Sequence, residues 1–243
     1  MFAGPNGSGK STLKSILPRA LLGVYLNPDD IEREICRQGF LELSTFQVVS
    51  TEAEILGFFR KSELLISAKM GEVVNRFAFS DGRLHFGGVR IDSYIASVIV
   101  DFLRQKLLEQ RTTFTFETVM SHPSKIELLA QAQRLGYRTY LYFIATDDPE
   151  INISRVRNRV KLGGHPVPIN KIEERYHRSL DLLMAAVRHT NRAYIFDNSG
   201  NNQKRTWLAE VSEGKMLEIK TDRIPAWFKR SVLEKAGADY KPM

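Results

Sequence analysis

The residues GPNGSGKS at positions 4 to 11 match the pattern G-x-x-x-x-G-K-[ST] at every defined position. That pattern suits one kind of local structure: a loop that leaves a buried strand, turns its backbone N–H groups around a phosphate and opens a helix. Gly4, Gly7 and Gly9 permit the turn, since side chains there would obstruct the inward-pointing N–H groups. Lys10 supplies a mobile positive charge for β and γ phosphates, and the Ser11 hydroxyl suits a Mg²⁺ ligand. Pro5, Asn6, Ser8 and Thr12 complete the predicted nucleotide-binding segment. The run KSTLKSILPRALL predicts a helix from about Ser11 with its positive end aimed at the anion. A Gly-rich turn before a helix is the bland alternative, and the complete match disfavours it.

Only Met1, Phe2 and Ala3 precede the loop. Three residues form a truncated first strand, which predicts a gap in the middle of the sheet and coding sequence upstream of Met1.

The 243 residues are 43% hydrophobic and 26% charged, enough for one substantial core in a single domain with embellishments. No apolar run approaches the roughly 18 residues of a spanning helix, so no membrane association is expected. No leader precedes the loop, and the expected location is cytoplasmic. The single cysteine, Cys36, excludes an intrachain disulfide. The net charge of +7 is spread without blocks, which favours anionic ligands and equally describes a solvated basic surface.

Strands are predicted at the three-residue stub Met1–Ala3, at GVYLN (23–27), TFTFETV (113–119), RTYLYFIAT (138–146) and RAYIFDNSG (192–200), with helical patterns between them. These strands are continuous apolar runs, the sign of buried parallel strands. The expected fold class is therefore α/β: a P-loop NTPase with a parallel five-stranded core sheet and helices on both faces. Residues 1–200 form the core, interrupted at about 40–92 by an insertion with a hairpin at Asp81-Gly82. Residues 201–243 form a C-terminal extension, a hairpin plus a helix, packed on the core.

In such sheets ligands bind beyond the carboxyl ends of the strands. Asp29 or Asp30 follows the second strand, where a carboxylate can accept the proton of an attacking hydroxyl, or simply favour a helix dipole. Glu117 and Thr118 end the third; an acid there can hold Mg²⁺ through water or bond a substrate hydroxyl. Ser121 is expected to cap the helix that Pro123 starts. Beyond the fourth strand, Arg155 and Arg159 share one helical face, suited to transition-state charge on a phosphoryl group or to plain solvation. The helix ends in Gly163-Gly164 as a movable lid, with His165 as a lid contact or a bystander. No histidine spacing suggests a transition-metal site.

Taken together, AGPNGSGKST, NPDD, FETVMSHPSK, GYRTYLYFIAT, RVRNRVKLGGHPVP, ERYHRSL and FDNSG resemble the zeta toxin family of P-loop kinases, in particular its chromosomal zeta-like ATPases, from about Phe2 to Gly200. The resemblance implies a P-loop NTPase core of the kinase type and a phosphotransferase that uses ATP and Mg²⁺, since zeta toxins phosphorylate a hydroxyl of UDP-N-acetylglucosamine. It further implies Lys10 and Ser11 on phosphates and metal, and Asp29 as the base through the family's N-x-D. Glu117 and Thr118 would line the acceptor site, and Arg155 or Arg159 would act as the lid arginine. A second family arginine is replaced by the stretch GGHPVP, where His165 lies, and we count His165 with the acceptor-binding residues. An antitoxin-like protein partner also follows from the family.

The leading expectation is an ATP-dependent kinase of a small molecule of nucleotide-sugar type. The alternatives are a polynucleotide or nucleoside kinase and a non-catalytic ATP-binding module acting through a partner. Nucleic acid is disfavoured because no basic stripe interleaved with aromatics is apparent.

Overall fold

The computed structural model describes residues 1–200, 204–237 and 241–242. In chain order its strands are β1 (Phe2–Ala3), β2 (Val24–Leu26), β3 (Phe40–Glu42), β4 (Ala78–Ser80), β5 (Arg83–His85), β6 (Phe114–Thr118), β7 (Tyr140–Ala145), β8 (Arg192–Asp197), β9 (Thr206–Ser212), β10 (Met216–Ile219) and β11 (Lys241–Pro242). The chain divides into two compact units, Met1–Leu17 with Glu117–Met243, and Pro18–Phe116.

The first unit is built on a parallel sheet. Strand β1 pairs with β6 through Glu117 and Thr118 on one side and with Tyr142 and Phe143 of β7 on the other. Strand β8 runs parallel to β7, and β9 and β10 continue antiparallel from β8. The gap expected at the centre is thus bridged by two residues. Two suffice because Phe2 and Ala3 are both fully buried and Phe2 packs edge-on against the Tyr142 ring at 5.5 Å. The Met1 amine donates to the Tyr140 carbonyl at 2.7 Å, and burial pushes it down to about 5. Leu141, Phe143, Ile144 and Ala145 are buried in β7, as a strand covered on both faces requires.

Helix Pro149–Lys161 starts where Asp148 accepts from the Glu150 N–H, with Pro149 in the first turn. It packs Ile153 and Val156 against Ile172 of helix Ile169–Asp181. The stripe expected at Ile172, Tyr176, Leu180 and Leu183 is buried throughout. Segment 226–236 is helical and buries Trp227, Phe228 and Val232. Residues 201–203, 238–240 and 243 of the expected C-terminal extension lie outside the described residues.

Two expectations are corrected. A regular helix does not follow the phosphate loop: a 3₁₀ helix spans Lys10–Ile16, Leu17 is extended (φ −109°, ψ 139°), and a short helix Arg19–Leu22 begins only after Pro18. The Pro18 ring disfavours the helical conformation for the residue before it, which accounts for the break at Leu17. Nor does Ser121 cap helix Ser124–Arg134, because the Ser124 N–H donates to His122 Nδ1 (3.3 Å).

The second unit pairs β2 parallel to Phe114–Phe116 of β6 and holds a small antiparallel sheet in the order β3, β5, β4. The hairpin between β4 and β5 turns at Asp81 (φ 49°) and Gly82 (φ 75°), as an Asp-Gly turn demands. Helix Pro28–Gln38 is capped by Asn27, whose Oδ1 accepts from the Asp29 N–H at 2.9 Å. Helix Ser93–Glu109 starts at Asp92, which accepts from Tyr94 and Ile95, and buries Ile95, Ile99, Leu103 and Leu107.

Candidate nucleotide site

The loop Gly4–Thr12 emerges from β1 in the first unit, and its neighbours there leave no slack. A Cβ on Gly4 would lie 2.0 Å from the Ile144 carbonyl oxygen, at a φ of +144°. Helix Pro149–Lys161 sends Asn152 to the loop, its amide nitrogen donating to the Asn6 carbonyl. The Asn152 oxygen in turn accepts from the Thr146 hydroxyl, and Tyr176 donates to the Thr146 carbonyl at 2.7 Å. From the end of β8, Asn198 Nδ2 donates to the Ser8 carbonyl at 2.8 Å.

The loop carbonyls of Asn6 and Ser8 are therefore held from outside. The Ser8 hydroxyl and the Asn6 amide oxygen, by contrast, are buried with no hydrogen-bond partner among the described residues. Orphaned polar atoms in a glycine loop fit a phosphate group with its bound water or cation, because desolvated polar groups are expensive to leave unpaired.

Lys10 Nζ donates to the carbonyls of Gly4 and Pro5, each at 2.9 Å. The Ser11 hydroxyl donates to Glu117 Oε2 at 3.1 Å, with Glu117 buried. A hydroxyl and a carboxylate at this separation form an oxygen donor set of the kind hard cations take. No cluster of three or more His, Cys, Asp or Glu residues able to hold a metal exists among the described residues. Any Mg²⁺ here therefore leans on phosphate and water oxygens.

The remaining expected residues divide. The Thr118 hydroxyl accepts from the Met120 N–H at 3.0 Å and so shapes the turn after β6, in which Met120 adopts φ 55°. Arg155 donates through Nη1 to the Asn198 carbonyl (2.8 Å) and through Nη2 to the Gly200 carbonyl (3.0 Å). Burial lowers its pKa, and the Asp197 carboxylate opposes that shift. Arg159 is exposed, with Nη2 on the carbonyl of exposed His165 at 3.3 Å. Asp29 and Asp30 belong to the second unit, both exposed in the first turn of their helix, where Asp30 pairs with Arg33 at 3.1 Å.

Sequence reasoning missed Thr146, Asn152, Asn198 and Arg205, whose Nη1 donates to the Thr12 hydroxyl at 2.9 Å. Asn152 carried a signal, being a polar residue on the apolar face of an amphipathic helix. Arg205 carried none, its partner lying 193 positions away, and Asn198 lay within the FDNSG stretch, which says nothing of a contact 190 positions away.

Residues 93–204 match the family model described as Zeta toxin. An uncharacterized protein of Haemophilus influenzae is 32% identical over 69 residues, 28% of this chain and 49% of that protein. The chain thus spans about half the length of the curated relative it matches. The crystal structure of AvrRxo1-ORF1:AvrRxo1-ORF2 with sulphate ions is similar at 12% identity with a TM-score of 0.50, over 91% of this chain and 60% of that one. The native AvrRxo1-ORF1:-ORF2 complex gives 12% identity and a TM-score of 0.52, over 95% and 62% of the two chains. At such identities the likeness is one of fold. The matched stretch contains Glu117, Asn152, Arg155, Arg159 and Asn198, and the phosphate loop precedes it. The chain is therefore an α/β protein of P-loop kinase-like fold, and its residues 93–204 are similar to the zeta toxin family model.

Proposed function

We propose that the protein is a kinase that transfers the γ-phosphoryl group of ATP to a hydroxyl of a small molecule, a nucleotide sugar of the UDP-N-acetylglucosamine type. The observation that carries this reading is the Ser11–Glu117 contact at 3.1 Å beside a loop with two orphaned polar atoms, Ser8 Oγ and Asn6 Oδ1. Lys10 exchanges its contacts with Gly4 and Pro5 for the β and γ phosphates, a small movement for a flexible four-carbon stem. Ser11 and Glu117 would hold Mg²⁺, which when bound offsets the charge crowding on the phosphate oxygens.

Asp29 takes the proton of the acceptor hydroxyl while that oxygen bonds to the γ phosphorus, the bond to the bridging oxygen breaks, and ADP departs. The family's N-x-D pattern and the exposure of its carboxylate support this role. Of the two lid arginines we assign Arg159 to the transferring phosphoryl group, because both terminal nitrogens of Arg155 are committed to carbonyls. Thr118 and His165 are assigned to the acceptor. An antitoxin-like protein partner is part of the proposal on the strength of the family domain.

The test incubates purified protein with γ-labelled ATP, Mg²⁺ and a panel of uridine sugars. Lys10→Ala and Asp29→Asn are expected to lose label transfer by at least about 100-fold, the scale on which a positioned general base and a phosphate-binding charge act. No transfer to any acceptor, with both variants indistinguishable from wild type, would sink the kinase reading.

A further inference from the structure

Asn198 is the junction of the site. Its backbone N–H donates to the Ala145 carbonyl of β7, its side chain to the Ser8 carbonyl, and its own carbonyl receives Arg155 Nη1, each at 2.8 Å. A residue with all three polar groups engaged transmits any displacement of its backbone to both the phosphate loop and the arginine.

What holds Asn198 comes from far along the chain. Its neighbours Asp197 and Ser199 close on each other, Ser199 donating to Asp197 through its N–H (3.0 Å) and its hydroxyl (2.7 Å). Into that turn comes Trp227, fully buried, whose indole N–H donates to Asp197 Oδ1 at 2.8 Å. Its backbone N–H donates to Asp147 Oδ1 (3.2 Å), and the Asp147 N–H donates to the Ser199 hydroxyl (2.8 Å). The ring of bonds Trp227–Asp197–Ser199–Asp147–Trp227 thereby ties the turns after β7 and β8 to the C-terminal helical segment. Packing alone would be met by any large ring, as the contacts of Trp227 with Phe143 and Phe228 at 6.2 and 5.8 Å show. The indole also brings the N–H that Asp197 accepts, which a phenyl ring lacks.

We propose that Trp227 is a positioning residue of the nucleotide site: by holding the Asp197–Ser199 turn it fixes Asn198, and through Asn198 the loop at Ser8 and the Arg155 guanidinium. This rests on the nucleotide-binding part of the reading above.

The test is a double-mutant cycle on the full chain, with Trp227→Phe, Asn198→Ala and the pair, reading the dissociation constant of ATP with Mg²⁺ by calorimetry at 25 °C on folded protein. Each single variant is expected to bind roughly tenfold more weakly, the worth of one net hydrogen bond in affinity. The pair is expected to bind no more weakly than Asn198→Ala alone, because the indole acts only through Asn198. A Trp227→Phe protein with wild-type affinity, or losses that multiply in the pair, overturns the proposal and leaves the kinase reading standing. Wild-type protein that binds no ATP, or Lys10→Ala that binds it as well as wild type, overturns both. Should Trp227→Phe not fold, Ser199→Ala opens the same ring from its other side, and the same cycle with Asn198→Ala decides in the same way.

Discussion

Replacing Gly4 with alanine measures how tightly the phosphate loop is built into the sheet. The new Cβ would sit 2.0 Å from the Ile144 carbonyl oxygen and 3.0 Å from the Ser8 hydroxyl. Ile144 lies in β7, which is hydrogen-bonded to β1 on one side and β8 on the other, so that oxygen cannot retreat. Relief must come from β1, two residues long, lifting Phe2 out of full burial. Gly136 is the control: it has φ +84° but meets nothing within 4 Å, so alanine there bears only the left-handed backbone penalty of about 1–2 kcal/mol. Gly4→Ala bears a comparable backbone penalty plus the burial of Phe2, about 1.5–3 kcal/mol, for a total of about 3–5 kcal/mol.

For a chain of this size each kcal/mol moves the midpoint by about 2–4 °C. Thermal unfolding followed by circular dichroism should therefore show losses of about 2–8 °C for Gly136→Ala and about 6–20 °C for Gly4→Ala. ATP binding should survive the first substitution and fail in the second even where that protein is folded. Equal midpoints for the two variants would refute the argument that β7 confines the loop.

Arg155→Ala should lower unfolding free energy by about 1–3 kcal/mol, since two carbonyls lose a charged donor, whereas Arg159→Ala at an exposed position should stay within about 0.5 kcal/mol; urea midpoints compare them. Tyr176→Phe removes the buried 2.7 Å bond to the Thr146 carbonyl and should cost about 1–3 kcal/mol in the same assay. In a protein made with Met1 at its first position, the buried amine should titrate near 5, against 8.0 for the exposed group. Between those values only the unfolded chain takes up the proton. The amine's contribution therefore raises stability as pH goes from about 5 to 8, by up to about 4 kcal/mol, and is lost as pH falls. An NMR titration of the ¹³C-methylated amine that gave a value near 8 would overturn its burial.

Much of this was legible in the residues. The parallel strands β1, β2, β6, β7 and β8 were readable as apolar runs, because a strand covered on both faces has no polar side to show. The Asp81-Gly82 hairpin was readable because few dipeptides accept two positive φ angles in succession. The uninterrupted helix after the loop was a misreading in which apolar periodicity outweighed the constraint Pro18 places on Leu17. Arg155 was legible by its type as a phosphoryl contact, but that its guanidinium holds the carbonyls of Asn198 and Gly200, and that the Thr118 hydroxyl accepts from the Met120 N–H, was not.

Local chemistry thus determined the loop, the strands and the order of the α/β elements, since each depends on residues within a few positions of one another. What braces the loop was decided only by the tertiary structure. Asn152, Asn198 and Trp227 are an ordinary polar residue, an ordinary turn residue and an ordinary core aromatic in the sequence. They acquire their roles only because the fold brings residues 146, 190 and 30 positions apart in the chain within hydrogen-bonding distance. A hydrogen bond between such distant residues leaves no periodic trace, so its partners become visible only when the backbone has been folded around them.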